Sequence, residues 1–199
     1  MNMMNDTVRH DFATIAAWVK PGSRVLDLGC GDGTLLKYLM DARQAHGYGV
    51  DIKDANILAC VKKGLNVIQN DLDAGLSGFE AASFDYVILS QTLQAMKHIE
   101  QVIGEMLRVG KEAIVAFPNF GYWRHRVQVL QGHMPVSPNL PYQWHDTPNI
   151  HLCTLKDFEA FCATHGIRIL QRVVMDGERE IGFLPNIRGS VAAYRIERG

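Results

Sequence analysis

The strongest constraint on the fold is a short strand-forming run that leads directly into three glycines at alternate positions. Residues 24–28 (RVLDL) are mostly apolar, and Gly29, Gly31 and Gly33 follow at once. Glycine permits a tight turn and lets a ligand approach the backbone closely. Apolar side chains at helical spacing come next, so the order is strand, glycine-rich turn, helix. We name residues 29–33 the elbow, and this unit predicts an α/β sheet that binds a ligand beyond its strand ends.

The same alternation continues along the chain. Strands are predicted at residues 24–28, 46–51, 65–69, 84–89, 113–117, 167–174 and 191–196. Helices are predicted at residues 6–18, 34–42, 55–63, 100–109, 122–131 and 154–165, the last opening with a capping box at Thr154. This order favours a doubly wound, mostly parallel, seven-stranded α/β sheet with an antiparallel last strand, preceded by a polar segment that could form a hairpin. We expect a single domain over residues 1–199, with a helix and loop inserted at about residues 120–150.

Composition argues against several classes of protein. The formal net charge is −1 and no run of lysines or arginines is present, so a nucleic-acid partner is not expected. Apolar runs are strand-sized, well short of the roughly 20 residues that span a bilayer, and the polar first residues do not resemble a signal peptide. The four cysteines lack Cys-x-x-Cys spacing, so we expect reduced thiols, no zinc site and a cytoplasmic location.

Residues in and beside the elbow discriminate between nucleotide ligands. A dinucleotide-binding turn would have a small residue where Thr34 stands, and the carboxylate of Asp32 would repel a pyrophosphate. S-adenosylmethionine (SAM) carries no phosphate, and its cationic sulfonium tolerates nearby carboxylates. The pattern D-x-G-x-G-x-G, which begins at Asp27, is typical of class I SAM-dependent methyltransferases, a Rossmann-like fold. We therefore expect SAM or S-adenosylhomocysteine as the ligand, and a dinucleotide-dependent oxidoreductase is the weaker alternative.

Polar residues at three further strand ends complete the predicted SAM site. Asp51 ends the second strand, where a carboxylate can accept hydrogen bonds from both ribose hydroxyls. Asp71 follows the third strand and is placed to bind the adenine amino group, with Leu72 packing on the ring; Asp73 is close enough to compete for this role. Ser90 and the glutamine after it end the fourth strand and face the methionyl part. The alternative is that these loop acids only cap helices.

Five stretches of the sequence resemble the family of methionine biosynthesis proteins MetW. They are DLGCGDGT (27–34), NVIQNDLD (66–73), FDYVILSQTLQA (84–95), FPNFGYW (117–123) and LPYQWHDTPNIHLCTLKDF (140–158). The first is shared by many methyltransferases, whereas the others include far more specific motifs. The resemblance covers nearly the whole chain. It implies a role in methionine biosynthesis, in association with homoserine O-acyltransferase (MetX), the enzyme that activates homoserine by acylation.

The resemblance also implies which residues hold SAM. Carried over onto this sequence, they are Asp27, Gly29, Gly31, Gly33, Asp51, Asp71 and Ser90. No methyl acceptor comes with the resemblance.

Candidates for a catalytic base are harder to identify, because the sulfonium of SAM is already an activated methyl donor and alignment supplies much of the rate. His145 with Asp146, or His151, could serve as a base for an acceptor that loses a proton. The candidates on the predicted acceptor side are Tyr122, His125, His133, Tyr142, His145, Asp146 and His151. For each of them a purely structural role is the alternative. His145 and His151 are not at helix-face spacing, and no metal is predicted.

Residues 122–150 have two functional interpretations. Their aromatic and arginine side chains are of the types enriched at interface hot spots, so the segment could contact the acyltransferase. Alternatively it forms a lid over an acceptor pocket, or its aromatic rings pack into the core. The side chains concerned are Trp123, Arg124, Arg126, Tyr142 and Trp144. The sequence thus supports two hypotheses, a SAM-binding accessory protein of the acyltransferase and an active methyltransferase that modifies a small molecule.

Overall fold

The computed structural model describes residues 10–199, and its centre is an eight-stranded sheet in the order β3-β2-β1-β4-β5-β8-β6-β7. The strands are β1 (Arg24–Leu28), β2 (His46–Asp51), β3 (Val67–Gln69), β4 (Phe84–Ser90), β5 (Gly110–Pro118), β6 (Ile167–Asp176), β7 (Arg179–Glu180) and β8 (Val191–Arg198). The helices are α1 (His10–Trp18), α2 (Thr34–Arg43), α3 (Asp54–Lys62), α4 (Ile99–Val109), α5 (Trp123–Leu130), α6 (Leu155–Thr164) and α7 (Pro185–Arg188). Single 3₁₀ turns cover Leu72–Ala74 and Leu93–Ala95.

The first five strands are parallel and their side chains alternate between two apolar layers. Val25, Ile88 and Ile114 point to one face of the sheet, where they share a core with α1 and α2. Leu26 and Val87 point to the other face, where α4 and α6 pack. Because strands buried on both faces need apolar residues at nearly every position, these strands read as continuous apolar runs in the sequence. The predicted doubly wound α/β fold is confirmed.

The far end of the sheet is antiparallel. β8 lies between β5 and β6 and is antiparallel to both, which confirms the predicted orientation of the last strand. The predicted count of seven strands is wrong by one, because β7 forms a two-residue strand paired with the end of β6 through Met175–Glu180 and Asp176–Arg179. The turn between them includes Gly177 at φ +59°. A polar two-residue strand has no alternation to reveal it.

Helix starts agree closely with the sequence pattern. α2 begins at Thr34 as predicted, and the capping box at Thr154 is present, with Thr154 and Asp157 exchanging side-chain-to-backbone hydrogen bonds. The first predicted helix is seen from His10, and residues 6–9 of it lie outside the described part of the chain. Within residues 10–199, no helix combines the length and apolar content that a bilayer crossing needs. The single-domain organisation stays a prediction.

Residues 119–152, which we name the β5–α6 segment, interrupt the alternation. They contain α5 and, between Ser137 and Leu140, one isolated antiparallel bridge. This agrees with the helix and loop predicted at about residues 120–150. The segment leaves the sheet at the carboxyl end of β5, which is the edge where ligands bind in folds of this type.

Candidate functional site

The elbow follows β1 and turns through three left-handed glycines. Gly29, Gly31 and Gly33 have φ values of +64°, +57° and +78°, a region that side chains disfavour. The amide of Cys30 donates to the carbonyl of Val50 at 3.0 Å, which ties the turn to the neighbouring strand β2. The predicted turn is therefore present at the carboxyl edge of the sheet.

The three glycines differ in what surrounds them. A Cβ on Gly29 would lie 2.6 Å from the side chain of Thr92, and one on Gly33 would lie 2.4 Å from Leu65 Cδ1. Gly31 has no such neighbour within 4 Å. Two glycines are therefore required by packing, whereas the third presents bare backbone to open space, which is the surface a ligand needs for close approach.

Two thiols support the elbow from beneath. Cys60 of α3 and Cys30 lie 3.9 Å apart, sulfur to sulfur, and their S–H groups lie 3.4 and 3.7 Å from the carbonyl oxygen of Gly31. Burial raises the pKa of both thiols, and the charge of Asp27 raises that of Cys30 further. The protonated sulfurs of Cys30 and Cys60 act as packing groups and weak donors.

Asp51 connects the elbow to the end of β2. Its Oδ2 accepts a hydrogen bond from the amide of Gly31 at 2.9 Å, and its Oδ1 accepts one from the amide of Lys53 at 2.9 Å. The residue is only 7% exposed. Since a carboxylate has about four lone-pair positions, two remain for hydroxyl donors of a ligand. The backbone bonds fix the direction of this carboxylate beside the open glycine.

The first turn of α2 is already bonded to a carboxylate of the chain. Asp32 Oδ1 accepts from the amide and hydroxyl of Thr34 at 3.2 and 2.7 Å, and Oδ2 accepts from Lys63 Nζ at 2.7 Å. Burial alone would raise the pKa of Asp32, but the hydrogen bonds from Lys63 and Thr34 together lower it. A pyrophosphate would have to displace this anion from the helix N-terminus, so the site fits a ligand without phosphate better.

The acids after β3 have separate roles. Asp71 Oδ1 accepts from the amide of Asp73 at 3.0 Å and begins the 3₁₀ turn, and the residue is exposed. Asp73 Oδ1 accepts from the amides of Lys97 and His98 at 2.9 and 3.3 Å, so it holds the start of the α4 region. Leu72 belongs mainly to the core and is 8% exposed. Asp71 thus has the freer carboxylate, whereas Asp73 is structural.

The end of β4 is joined to α1 by a buried hydrogen bond. Ser90 Oγ donates to Asp11 Oδ2 at 2.9 Å, and both residues are at least 92% buried. Gln91, the next residue, has a φ of +57°, which is unfavourable for a side chain. Thr92 then packs on Gly29, as described above. This backbone path turns β4 towards the elbow, while Asp27 lies buried at the end of β1.

A cavity of about 620 Å³ opens beside this edge of the sheet. Its wall includes Asp11, Gln91, Tyr122, Arg124 and Asp176, together with part of the loop after α5. The hydroxyl of Tyr122 donates to Asp176 Oδ2 at 3.1 Å. Burial and the neighbouring Asp176 raise the pKa of Tyr122, so its phenol stays protonated near neutral pH and fits a hydrogen-bond donor better than a base.

The histidine candidates lie in other environments. His125 is 1% exposed, and its ring nitrogens lie 3.2 Å from the carbonyl of Asn119 and 3.0 Å from Ser137 Oγ, so it anchors the loop. Burial lowers the pKa of His125. His145 is exposed beside Trp144, and Asp146 accepts from a backbone amide in the same turn.

His151 and His133 are also exposed. His151 Nε2 lies 3.4 Å from the carbonyl of Lys97, and the backbone amide of His151 donates to the carbonyl of Gln94. Among the described residues, the cavity wall includes Tyr122 and Tyr142 but neither His145 nor His151.

Three residues at this site carry roles that the sequence did not reveal. Asp11 reaches Ser90 from a helix 79 residues away in the chain, and Thr92 fills the space beside Gly29. Asn119 is fully buried and bonds to Gly121, Asn186 and Gly189 through its side chain. Asn119 lies in the FPNFGYW stretch directly after a strand, and Thr92 lies in the stretch at residues 84–95, but neither stretch indicates these contacts; Asp11 gives no local signal.

Comparison with known proteins identifies a family for this chain. The model of the family "Methionine biosynthesis protein MetW" matches residues 9–196. A curated relative, the "Bifunctional methionine biosynthesis protein MetXA/MetW" of Rhodopirellula baltica, is 36% identical over 206 residues, which cover 96% of this chain and 33% of that protein. The chain therefore spans about a third of the length of this relative.

Solved structures agree on the fold. A SAM-dependent methyltransferase from Archaeoglobus fulgidus superposes with a TM-score of 0.71 at 15% identity, covering 94% of this chain and 91% of that one. The PH0226 protein from Pyrococcus horikoshii gives a TM-score of 0.68 at 20% identity, covering 94% and 87%. The fold is that of class I SAM-dependent methyltransferases. With a family match over nearly its whole length, the chain belongs to the MetW family of methionine biosynthesis proteins.

Proposed function

We propose that the elbow binds SAM or S-adenosylhomocysteine and that the bound protein adjusts the activity of a homoserine O-acyltransferase. Gly31 offers bare backbone, Asp51 keeps lone pairs for the ribose hydroxyls, and Asp71 is exposed next to Leu72 for the adenine. The observation that carries the SAM proposal is the Gly31–Asp51 hydrogen bond, because it fixes a carboxylate beside an open glycine. Asp27, Gly29, Gly33 and Ser90 shape this cradle from within.

The partnership is supported by the Rhodopirellula baltica relative, whose name joins MetXA and MetW in one protein. Fusing two proteins raises the effective concentration of each for the other, which benefits proteins that act together. Where the two proteins are separate chains, the same association would require a direct interface between them. SAM is a downstream product of methionine, so a SAM-binding subunit could report the state of the pathway to an early enzyme.

Co-purification and an acyltransferase assay test this function. The purified chain is mixed with the homoserine O-acyltransferase of the same organism, and the rate is measured with and without SAM. We expect a complex whose rate differs from that of the free enzyme and responds to SAM. Asp51→Ala should still form the complex but lose the response to SAM. No complex and no change in rate would refute the accessory role.

The cavity favours a second candidate function, methyl transfer to a small molecule. Bound SAM would supply an electrophilic methyl group on its sulfonium. The chain's own contribution would be to orient the acceptor, with the hydrogen-bonded pair Tyr122–Asp176 and the side chain of Arg124 as its polar contacts around the cavity. Incubation with labelled SAM and methionine-pathway metabolites tests it. Labelled product that falls at least about tenfold with Tyr122→Phe would support this candidate, and no product from any metabolite would contradict it.

A further inference from the structure

Exposed apolar side chains are concentrated on the β5–α6 segment. α5 exposes Trp123 (45%), Val127 (40%) and Leu130 (86%) on one side of the helix, Val129 (50%) lies on another side, and Met134 follows at 54%. Large apolar side chains scattered singly on a surface need no explanation, but a contiguous set marks an interaction site. The distribution therefore points to this helix.

The three α5 residues form one stripe. Their positions i, i+4 and i+7 lie within about 60° of one another around a helix of 3.6 residues per turn. Arg124 and Arg126 lie on the two flanks of the stripe, and the guanidinium of Arg124 is 5.4 Å from the ring of Trp123. An apolar stripe at this spacing is the pattern by which a short helix docks into a groove of another protein.

On the opposite side of α5, His125 and Gln128 bond to their own protein, while Val129 on that side is half exposed. His125, about 200° from Trp123 around the helix, is buried between Asn119 and Ser137. The amide group of Gln128 exchanges two hydrogen bonds of 3.1 Å with the backbone of Val136. These contacts hold α5 with its stripe facing outward. A surface held in this way is preorganised for a partner.

Charge indicates the kind of partner. From Tyr122 to His145 the chain contains Arg124 and Arg126 and no aspartate or glutamate. The matching surface is therefore an apolar groove with an acidic rim. A second exposed apolar pair, Leu58 (60%) and Val61 (59%) on α3, lacks an aromatic anchor and flanking arginines.

We propose that the outer face of α5, formed by Trp123, Val127 and Leu130, is the surface that docks on the homoserine O-acyltransferase. This inference rests on the proposed function, since it assigns an interface to that partnership. It draws on the fusion of the two proteins in Rhodopirellula baltica, the aromatic and arginine content of the stripe, and its place beside the cavity wall, to which Tyr122 and Arg124 contribute. A partner docked at this face would lie next to a ligand bound in the cavity, so the binding of one would affect the binding of the other.

The test uses paired charge substitutions. The double variant V127D/L130D and the control L58D/V61D are each titrated against the purified acyltransferase of the same organism, with circular dichroism to verify folding. We expect V127D/L130D to raise the dissociation constant at least about 100-fold, because hot-spot side chains dominate such interfaces. The control should stay within about threefold of the unsubstituted chain. If V127D/L130D does not fold, V127A/L130A is used instead and should lower the affinity for the acyltransferase about tenfold.

The outcomes separate the two proposals. Absence of a complex with the unsubstituted chain would refute the partnership itself and the docking surface with it. A normal complex that V127D/L130D leaves unchanged, or that only L58D/V61D weakens, would overturn the docking surface alone. Sedimentation of the unsubstituted chain with anionic phosphatidylglycerol vesicles, abolished by V127D/L130D while the acyltransferase complex persists, would assign the stripe to a membrane surface instead.

Discussion

The elbow and the β5–α6 segment lie at the same edge of the sheet but are built in different ways. The elbow is held by groups at neighbouring strand ends: the Cys30 amide bonds to the Val50 carbonyl, and the Gly31 amide bonds to the Asp51 carboxylate. The segment is held by buried side chains, chiefly Asn119 and His125. The geometry of a turn between a strand and a helix therefore follows from local sequence, whereas a long loop depends on contacts that only the fold creates.

The first prediction compares a packed glycine with an open one. Gly33→Ala should destabilise the protein by about 3 kcal/mol, because strain at positive φ adds to overlap with Leu65 and Cys60. Gly132→Ala in the segment should cost about 1 kcal/mol, since its φ is +85° but no atom lies within 4 Å of the added Cβ. Urea unfolding measures both. Equal losses would show that the elbow is not packed as described.

The second prediction compares Asn119, in the β5–α6 segment, with Asn70, which follows β3. Asn119→Ala should cost about 2 kcal/mol, because it leaves the amide of Gly121 and the carbonyls of Asn186 and Gly189 without their side-chain partner. Asn70→Ala, which removes one hydrogen bond to Gly75, should cost less than about 1 kcal/mol. Thermal unfolding compares the two. A larger loss at Asn70 would contradict the role of Asn119 as the main anchor of the segment.

The third prediction is a pH dependence of folding stability near neutral pH, which arises from His125 in the β5–α6 segment. Burial lowers the pKa of His125 below that of the unfolded chain, about 6.5, so the unfolded state binds more protons in this range. Stability should therefore be complete above about pH 6.5 and be lost as the pH falls below it, by at most about 1.4 kcal/mol per pH unit. His125→Asn should reduce the loss between pH 7.5 and 5.5. An identical pH profile in the variant would remove His125 as an anchor.

The local sequence is sufficient to predict much of the elbow and of the neighbouring strand end. The start of α2 at Thr34 and the end of β2 at Asp51 follow from patterns of neighbouring residues, because a strand end and a helix cap are set by the adjacent chain. The antiparallel last strand was predicted as well. The local sequence pattern does not predict the two-residue strand β7, because its pairing depends on the partner strand and not on its own composition.

Contacts between distant parts of the chain could not be predicted. Ser90 bonds to Asp11, and Asn119 bonds to Gly189 across 70 residues. His125 is a residue type found both at surfaces and in cores, and nothing in its neighbours indicates that it is buried. The sequence also does not show which candidate bases in the loop line the cavity, because the fold determines which side chains reach it.

Calorimetric titration with SAM measures whether the elbow and Asp51 bind this ligand. Asp51→Ala is compared with Asp54→Ala, an exposed acid three residues further along that bonds to Gln69, and NAD is titrated in parallel. We predict measurable SAM binding that weakens at least about tenfold in Asp51→Ala, because hydrogen bonds to a charged group are lost. Binding should be unchanged in Asp54→Ala and absent for NAD. Equal SAM affinity in all three proteins, or tighter binding of NAD, would contradict the account.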